Sequence, residues 1–248
     1  MKDFIRNSKA VIQRELAGYF GSPVAYVFIV IFLLLCGFFT FYVSRFYDLG
    51  QADLRPFFEW HTWVFLFLIP SITMRLWADE RRSGTIELML TLPITLPEII
   101  LGKFVAAWLF IGMALFLTFP MVLTVIYLGE PDLGAIFCAY LGSFLMAGAY
   151  LSVGCMTSSL TKNQVISFIL SLVICLFLVL AGWSPVTDVL AGWAPLWLVN
   201  IVSGFSFMPH FESIQRGVID MRDLVYYFSV MFFMLIANGV VLQNRRAS

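Results

Sequence analysis

Residues 24–43 read Val-Ala-Tyr-Val-Phe-Ile-Val-Ile-Phe-Leu-Leu-Leu-Cys-Gly-Phe-Phe-Thr-Phe-Tyr-Val, a run of twenty residues without a charge. As an α-helix rising about 1.5 Å per residue it is about 30 Å long, the thickness of a bilayer's hydrocarbon core. A lone apolar stretch in lipid must satisfy its own backbone N–H and C=O groups, and only a helix does so. The run begins after more than twenty mixed residues and is longer than a signal-peptide core, so it reads as a membrane span and not as a cleavable leader. Five further stretches meet the same test: approximately Trp60–Trp77, Glu98–Leu128, Gly134–Met156, Val165–Gly182 and Leu224–Leu242. The third is long enough to kink, with Pro120 the expected point.

Composition agrees. Of 248 residues, 61% are hydrophobic and only 12% charged, with mean hydropathy +0.92. Soluble domains carry roughly 25% charged residues, so this chain lacks the polar surface to stay in water. The 15 basic residues balance the 15 acidic ones, so charge points to no nucleic-acid partner. Cys36, Cys138, Cys155 and Cys175 all lie in apolar runs and form no CxxC or Cys/His cluster, which suits packing rather than metal or disulfide chemistry.

Orientation follows from the basic residues. With the N-terminus inside, Lys2, Arg6, Lys9, Arg14, Arg75, Arg81, Arg82, Lys103, Lys162, Arg245 and Arg246 fall on the cytoplasmic side. Only Arg45, Arg55, Arg216 and Arg222 fall outside, a clear positive-inside bias. Six spans then return the C-terminus to the cytoplasm. The expected fold is therefore an all-α polytopic membrane protein with six transmembrane helices, forming a single transmembrane domain over residues 1–248.

Residues 1–22 form the first part of it. Phe4, Ile5, Val11, Ile12, Leu16 and Tyr19 recur at helical spacing, while Lys2, Arg6, Lys9, Gln13 and Arg14 lie elsewhere. Such a helix lies amphipathically in the cytoplasmic interface, in contact with membrane lipid. The alternative is a plain cytoplasmic extension. Residues 24–182 hold five spans, and residues 224–248 the sixth and a cytoplasmic tail. Between them, residues 183–223 form an external region too apolar for a soluble loop, which suggests re-entrant or interfacial helices broken at Pro185, Pro195, Gly204 and Pro209. In the fourth span, Ala139, Ser143 and Ala147 stand four residues apart beside Gly148 and Ser152, a small-residue face for helix–helix packing, within the chain or against another copy.

The sequence carries no recognisable engine. It has no GxxxxGK[ST] phosphate loop, no GxSxG and no HExxH, and His61 and His210 are isolated. Glu59, Arg75, Glu98 and Lys103 sit near span ends, within reach of the interface, which leaves no charged pathway through the spans. A transporter of this kind must borrow its energy. The expectation is a non-catalytic chain without cofactor, metal or catalytic residues.

Between spans two and three lies Asp79-Glu80-Arg81-Arg82-Ser83-Gly84-Thr85-Ile86-Glu87-Leu88-Met89-Leu90-Thr91-Leu92-Pro93. A charged cluster leads to a glycine and then to a short apolar helix that Thr85 can cap and Glu87 can favour through its dipole. Thr95-Leu96-Pro97-Glu98 reads as a capping box opening the third span. The exposed Ile86, Leu88, Met89 and Leu90 call for a cover, either a partner protein's groove or the membrane surface.

The run from Glu80 to Pro93 resembles the segment after the second span in permease subunits of ABC-2-type transporters. Arg14-Glu15-Leu16 with Tyr19-Phe20, Ser22-Pro23 and Ala25-Tyr26 looks like the N-terminal helix of the gliding-motility-type branch. His210-Phe211-Glu212, Arg216-Gly217-Val218-Ile219-Asp220 and Asp223-Leu224 look like that branch's segment before the last span. The resemblance implies a permease in a bacterial cytoplasmic membrane, exporting its substrate from the cytoplasm or inner leaflet. It also implies a separate P-loop ABC ATPase that holds ATP and magnesium, a second permease copy or a paralogue, and room for a periplasmic-domain auxiliary subunit. Glu80, Arg81, Arg82 and Gly84 to Leu90 would form the coupling helix against the ATPase, and Arg6, Arg14, Glu15, Tyr19 and Phe20 the N-terminal interfacial helix. ATPase-driven mechanotransmission without transport, a self-contained channel or secondary transporter, and a membrane-embedded enzyme are the competing readings.

Overall fold

The computed structural model describes residues 2–48, 50, 52–85 and 94–244. Among these it is all-helical, in the order α1 (Lys2–Phe20), α2 (Pro23–Phe38), α3 (Arg55–Thr73), α4 (Ala78–Ser83), α5 (Leu96–Phe116), α6 (Phe119–Leu128), α7 (Leu133–Leu160), α8 (Gln164–Leu180), α9 (Ser184–Ala191), α10 (Leu196–Gly204), α11 (Phe207–Gln215) and α12 (Met221–Asn244). Among the described residues five stretches are long and apolar enough to cross a bilayer: Pro23–Val43, Arg55–Ser83, Leu96–Leu128, Leu133–Leu160 and Met221–Asn244. The pair α8 and α9 makes a sixth if counted together, although it bends by 64°. The chain is a multi-pass membrane protein.

Local chemistry sets these elements. Ser22 caps α2, accepting the Val24 N–H at 3.3 Å, and Pro23 supplies the first helical position. A π-helical turn over Phe39–Val43 ends that span. The capping box at Thr95 forms, with the Glu98 carboxylate accepting the Thr95 N–H at 2.6 Å. Asp132 and Asn163 cap α7 and α8 through their side-chain oxygens.

α7 is the hub. In its most apolar window 78% is buried inside the protein, against 28% for the first span, so α7 faces helices while α2 faces outward. Ala139, Ser143, Ala147, Gly148 and Ser152 are all buried on it, and their neighbours belong to this chain. A Cβ on Gly148 would stand 2.7 Å from Met231 Sδ of α12, and one on Gly154 would stand 2.1 Å from Thr73 Oγ1 of α3. Small residues here let three backbones approach closely. Trp108 of α5 stacks on Phe144 at 4.5 Å and donates to its carbonyl at 2.8 Å. The Tyr150 hydroxyl donates to the Thr62 carbonyl at 3.0 Å.

Several sequence expectations need correction. The third span, Leu96–Leu128, is interrupted at Leu117–Thr118, in the turn just before Pro120, which itself sits in the first turn of α6. The fifth span does not run straight to Gly182, because α8 ends at Leu180 and Ser184–Pro185 restart the chain in a new direction. Pro185 and Pro209 open helices instead of breaking them, for a proline in the first turn forfeits no helical hydrogen bond. His61, isolated in the sequence, is fully buried, 3.0 Å from Ser143 Oγ, and ringed by Phe57, Phe58 and Phe65. Asp220 accepts the Arg222 backbone N–H at 3.0 Å at the start of α12.

Candidate functional site at the Lys103 junction

Lys103 occupies the eighth position of α5, about 10 Å along the helix from its start. The sequence places it within reach of the interface. The structure buries it, with 3% of its side chain exposed. A buried ammonium must have partners to offset its lost hydration, and Lys103 has three from three different elements. Nζ stands 2.6 Å from Glu80 Oε1 of α4, 3.3 Å from Glu15 Oε1 of α1, and donates to the Leu76 carbonyl at 3.2 Å. The Trp77 ring lies 5.3 Å below it, adding a cation–π contact.

Each neighbour is fixed in turn. Glu15 also takes a 2.7 Å contact from Arg14. Burial alone would push its carboxyl up, but the charges of Lys103 and Arg14 outweigh burial and hold it below its ordinary value. α1 lies along α5 because Gly102 has no side chain: a Cβ there would come 2.6 Å from Val11 Cγ1. Further along, Tyr19 stacks on Phe110 at 5.2 Å, with Phe20 edge-on to the same ring at 5.9 Å. Asn7 reaches Glu98 at 3.4 Å. Phe4 and Ile5 stay exposed, so only part of the apolar stripe is used inside the protein. Arg6 is exposed on the same helix.

The α4 elbow is anchored from its other side. Ser158 of α7 accepts the Trp77 and Ala78 backbone N–H groups at 3.0 and 3.2 Å and donates to the Met74 carbonyl at 3.2 Å. Arg81 bonds the Ser159 carbonyl, and Gln164 of α8 bonds Asp79. Gly84 then closes α4 in the left-handed conformation, at φ +73°, which an L side chain adopts only with strain. Thr85 follows, bonded to Ser83 at 2.9 Å, and Arg82 is exposed. Ile86, Glu87, Leu88, Met89 and Leu90 lie outside the described residues.

Of the expected coupling and interfacial residues, the structure brings Glu80, Arg14, Glu15, Tyr19 and Phe20 together around α5, while Arg81 bonds α7. Sequence reasoning missed Lys103, Ser158 and Gln164. The available signal was one lysine, beside a glycine, two turns into a helix whose one other charge is Glu98 in its first turn. An open cleft of about 390 Å³ runs from this charged end between α1, α2 and α3.

Among the described residues no cluster of three metal-ligating groups forms. One buried cation ties α1, α4 and α5 into a mechanical unit. No curated protein matches the chain. The family model described as ABC-2 family transporter protein matches residues 10–197, from the middle of α1 to the start of α10. That match takes in every residue of the Lys103 junction and about three quarters of the sequence, and the chain belongs to the ABC-2 family of transporter proteins.

Proposed function

We propose that this chain is the membrane-spanning permease subunit of an ABC-2-type exporter of the gliding-motility-type branch. It sits in a bacterial cytoplasmic membrane with both termini inside, and two permeases, identical or paralogous, form the pathway. A separate ATPase binds ATP and magnesium and does the chemistry, so this chain is a non-catalytic subunit. The observation that carries the reading is the Lys103 junction. Residues 86–93, joined to α4 through Gly84, provide the lever for the ATPase. A push there meets α4, which Lys103 links to α1 and α5, while Ser158 and Gln164 link it to α7 and α8. Nucleotide-driven closure would then move these elements as a rigid body and rearrange the helix interface.

The test is affinity purification of the tagged chain from native membranes, followed by ATPase assay with and without vanadate. The expected result is a P-loop ATPase in equal amount, with vanadate-sensitive turnover. Gly84→Val forces a β-branched residue to φ +73° and should abolish coupled turnover while membrane insertion persists, whereas Gly84→Asn should keep it. Glu87→Lys should uncouple likewise. A chain that purifies alone, or full turnover in Gly84→Val and Glu87→Lys, overturns the proposal.

A further inference from the structure

At the opposite end of the bundle, α3, α9 and α11 enclose a cleft of about 280 Å³. This is just under the roughly 300–1,000 Å³ of sites for drug-sized ligands, and so suits something smaller. Its walls include three tryptophans. Trp63 and Trp183 meet edge to face at 5.7 Å, while Trp60 is fixed by stacking on Phe39 at 4.4 Å and by donating to Ser44 Oγ at 2.8 Å. Two carboxylates, Glu59 and Glu212, line the same cleft, and no basic residue is among its lining. The nearest arginine along α3, Arg55, is engaged by Asp53 at 3.4 Å.

A third feature is independent of the acids. Gln215, 6% exposed, also lines the cleft, and its amide nitrogen Nε2 is buried without a hydrogen-bond partner. A buried donor left unpaired is costly and marks a position where an acceptor belongs.

We infer that this cleft binds a small organic ammonium group carrying an oxygen acceptor a few bonds away. The tryptophan faces offer cation–π attraction and the two carboxylates offer charge, while the oxygen takes the Gln215 N–H. Aromatic walls and only two carboxylates favour such a cation over a metal ion, since calcium takes about six to eight oxygen ligands. The ammonium can come from a phospholipid headgroup or from a free solute. The inference stands apart from the permease assignment, because it concerns the opposite end of the bundle and needs no ATPase.

The experiment uses the full chain in phosphatidylglycerol nanodiscs, titrated with choline chloride against sodium chloride at matched ionic strength, with tryptophan fluorescence as readout. The expected result is a saturable change with choline. Glu59→Gln/Glu212→Gln and Trp63→Leu should each weaken it about tenfold. Glu212→Asp should retain it, and Gln215→Leu should abolish the preference for choline over tetramethylammonium. Thermal transitions of the variants check folding, and both carboxylates are exposed, so their amides should leave the fold intact. If choline fails to saturate but native mass spectrometry shows phosphatidylethanolamine held by the wild type and lost from the double variant, the source is the lipid headgroup. Binding of neither above controls, binding retained by the double variant, or equal competition by sodium or calcium overturns the inference.

Discussion

Lys103→Met keeps the apolar stem of the side chain and removes only the ammonium. What is lost is the 2.6 Å pair with Glu80, the 3.3 Å pair with Glu15 and the hydrogen bond to the Leu76 carbonyl. Breaking a buried ion pair from one side costs about 3–5 kcal/mol, mostly because the remaining charge is stranded. Here Glu80 loses its cation while Glu15 keeps the half-exposed Arg14, and the two side chains keep 16% and 18% exposure and some hydration. That places the cost at the lower end, about 3 kcal/mol. The loss falls on the docking of α1, whose one ion pair to α5 is Glu15–Lys103 among the described residues. At 1.36 kcal/mol per factor of ten, the open population of α1 should rise roughly 150-fold. Hydrogen exchange read by mass spectrometry reports this directly: α1 amides should exchange about two orders of magnitude faster, with those inside α7 unchanged. Adding Glu15→Gln should restore part of the protection, because it removes a part-buried carboxylate left with Arg14 as its cation. Exchange of α1 within about threefold of wild type would refute the reasoning. So would additivity of Lys103→Met and Glu15→Gln to within about 0.5 kcal/mol, the signature of independent sites.

The pH dependence of α1 docking has a definite sign: the Glu15 carboxyl is held below its ordinary value of 4.5, so its contribution is fully present above that pH and is lost as pH falls through the lowered value. α1 exchange should therefore accelerate below pH 4.5 in the wild type, and Glu15→Gln should remove that part of the dependence. Gly154→Ala places a Cβ 2.1 Å from Thr73 Oγ1 and 2.6 Å from Thr73 Cβ, forcing α3 and α7 apart. Overpacking of this kind costs about 1–3 kcal/mol or more, whereas Gly148→Ala meets the Met231 thioether at 2.7 Å and the Trp108 ring at 3.0 Å, both farther off than Thr73 is from Gly154, and should cost less. Thermal unfolding in detergent distinguishes the two, and equal losses would contradict the packing described for α7.

The sequence by itself determined the solvent and the class of fold. Uncharged runs such as residues 24–43 leave lipid as the only medium and helix as the only conformation, because local hydrogen bonding must satisfy the backbone there. Caps were equally legible: Ser22-Pro23 and Thr95 with Glu98 act within one turn, so their chemistry is written in adjacent letters. The small residues of the fourth span were visible too, and the tertiary structure decided what they pack against, namely Thr73, Trp108 and Met231 of the same chain. Lys103 was not legible as a junction. Its partners Glu15 and Glu80 lie 88 and 23 positions away, and only the folding of α1 along Gly102 brings them to one point. His61, too, is isolated in the sequence, and only the fold closes Phe57, Phe58 and Phe65 over it. A hydropathy pattern records how each residue meets solvent on average, whereas a buried charge is tolerated only where distant chain segments converge, and that convergence belongs to the tertiary structure.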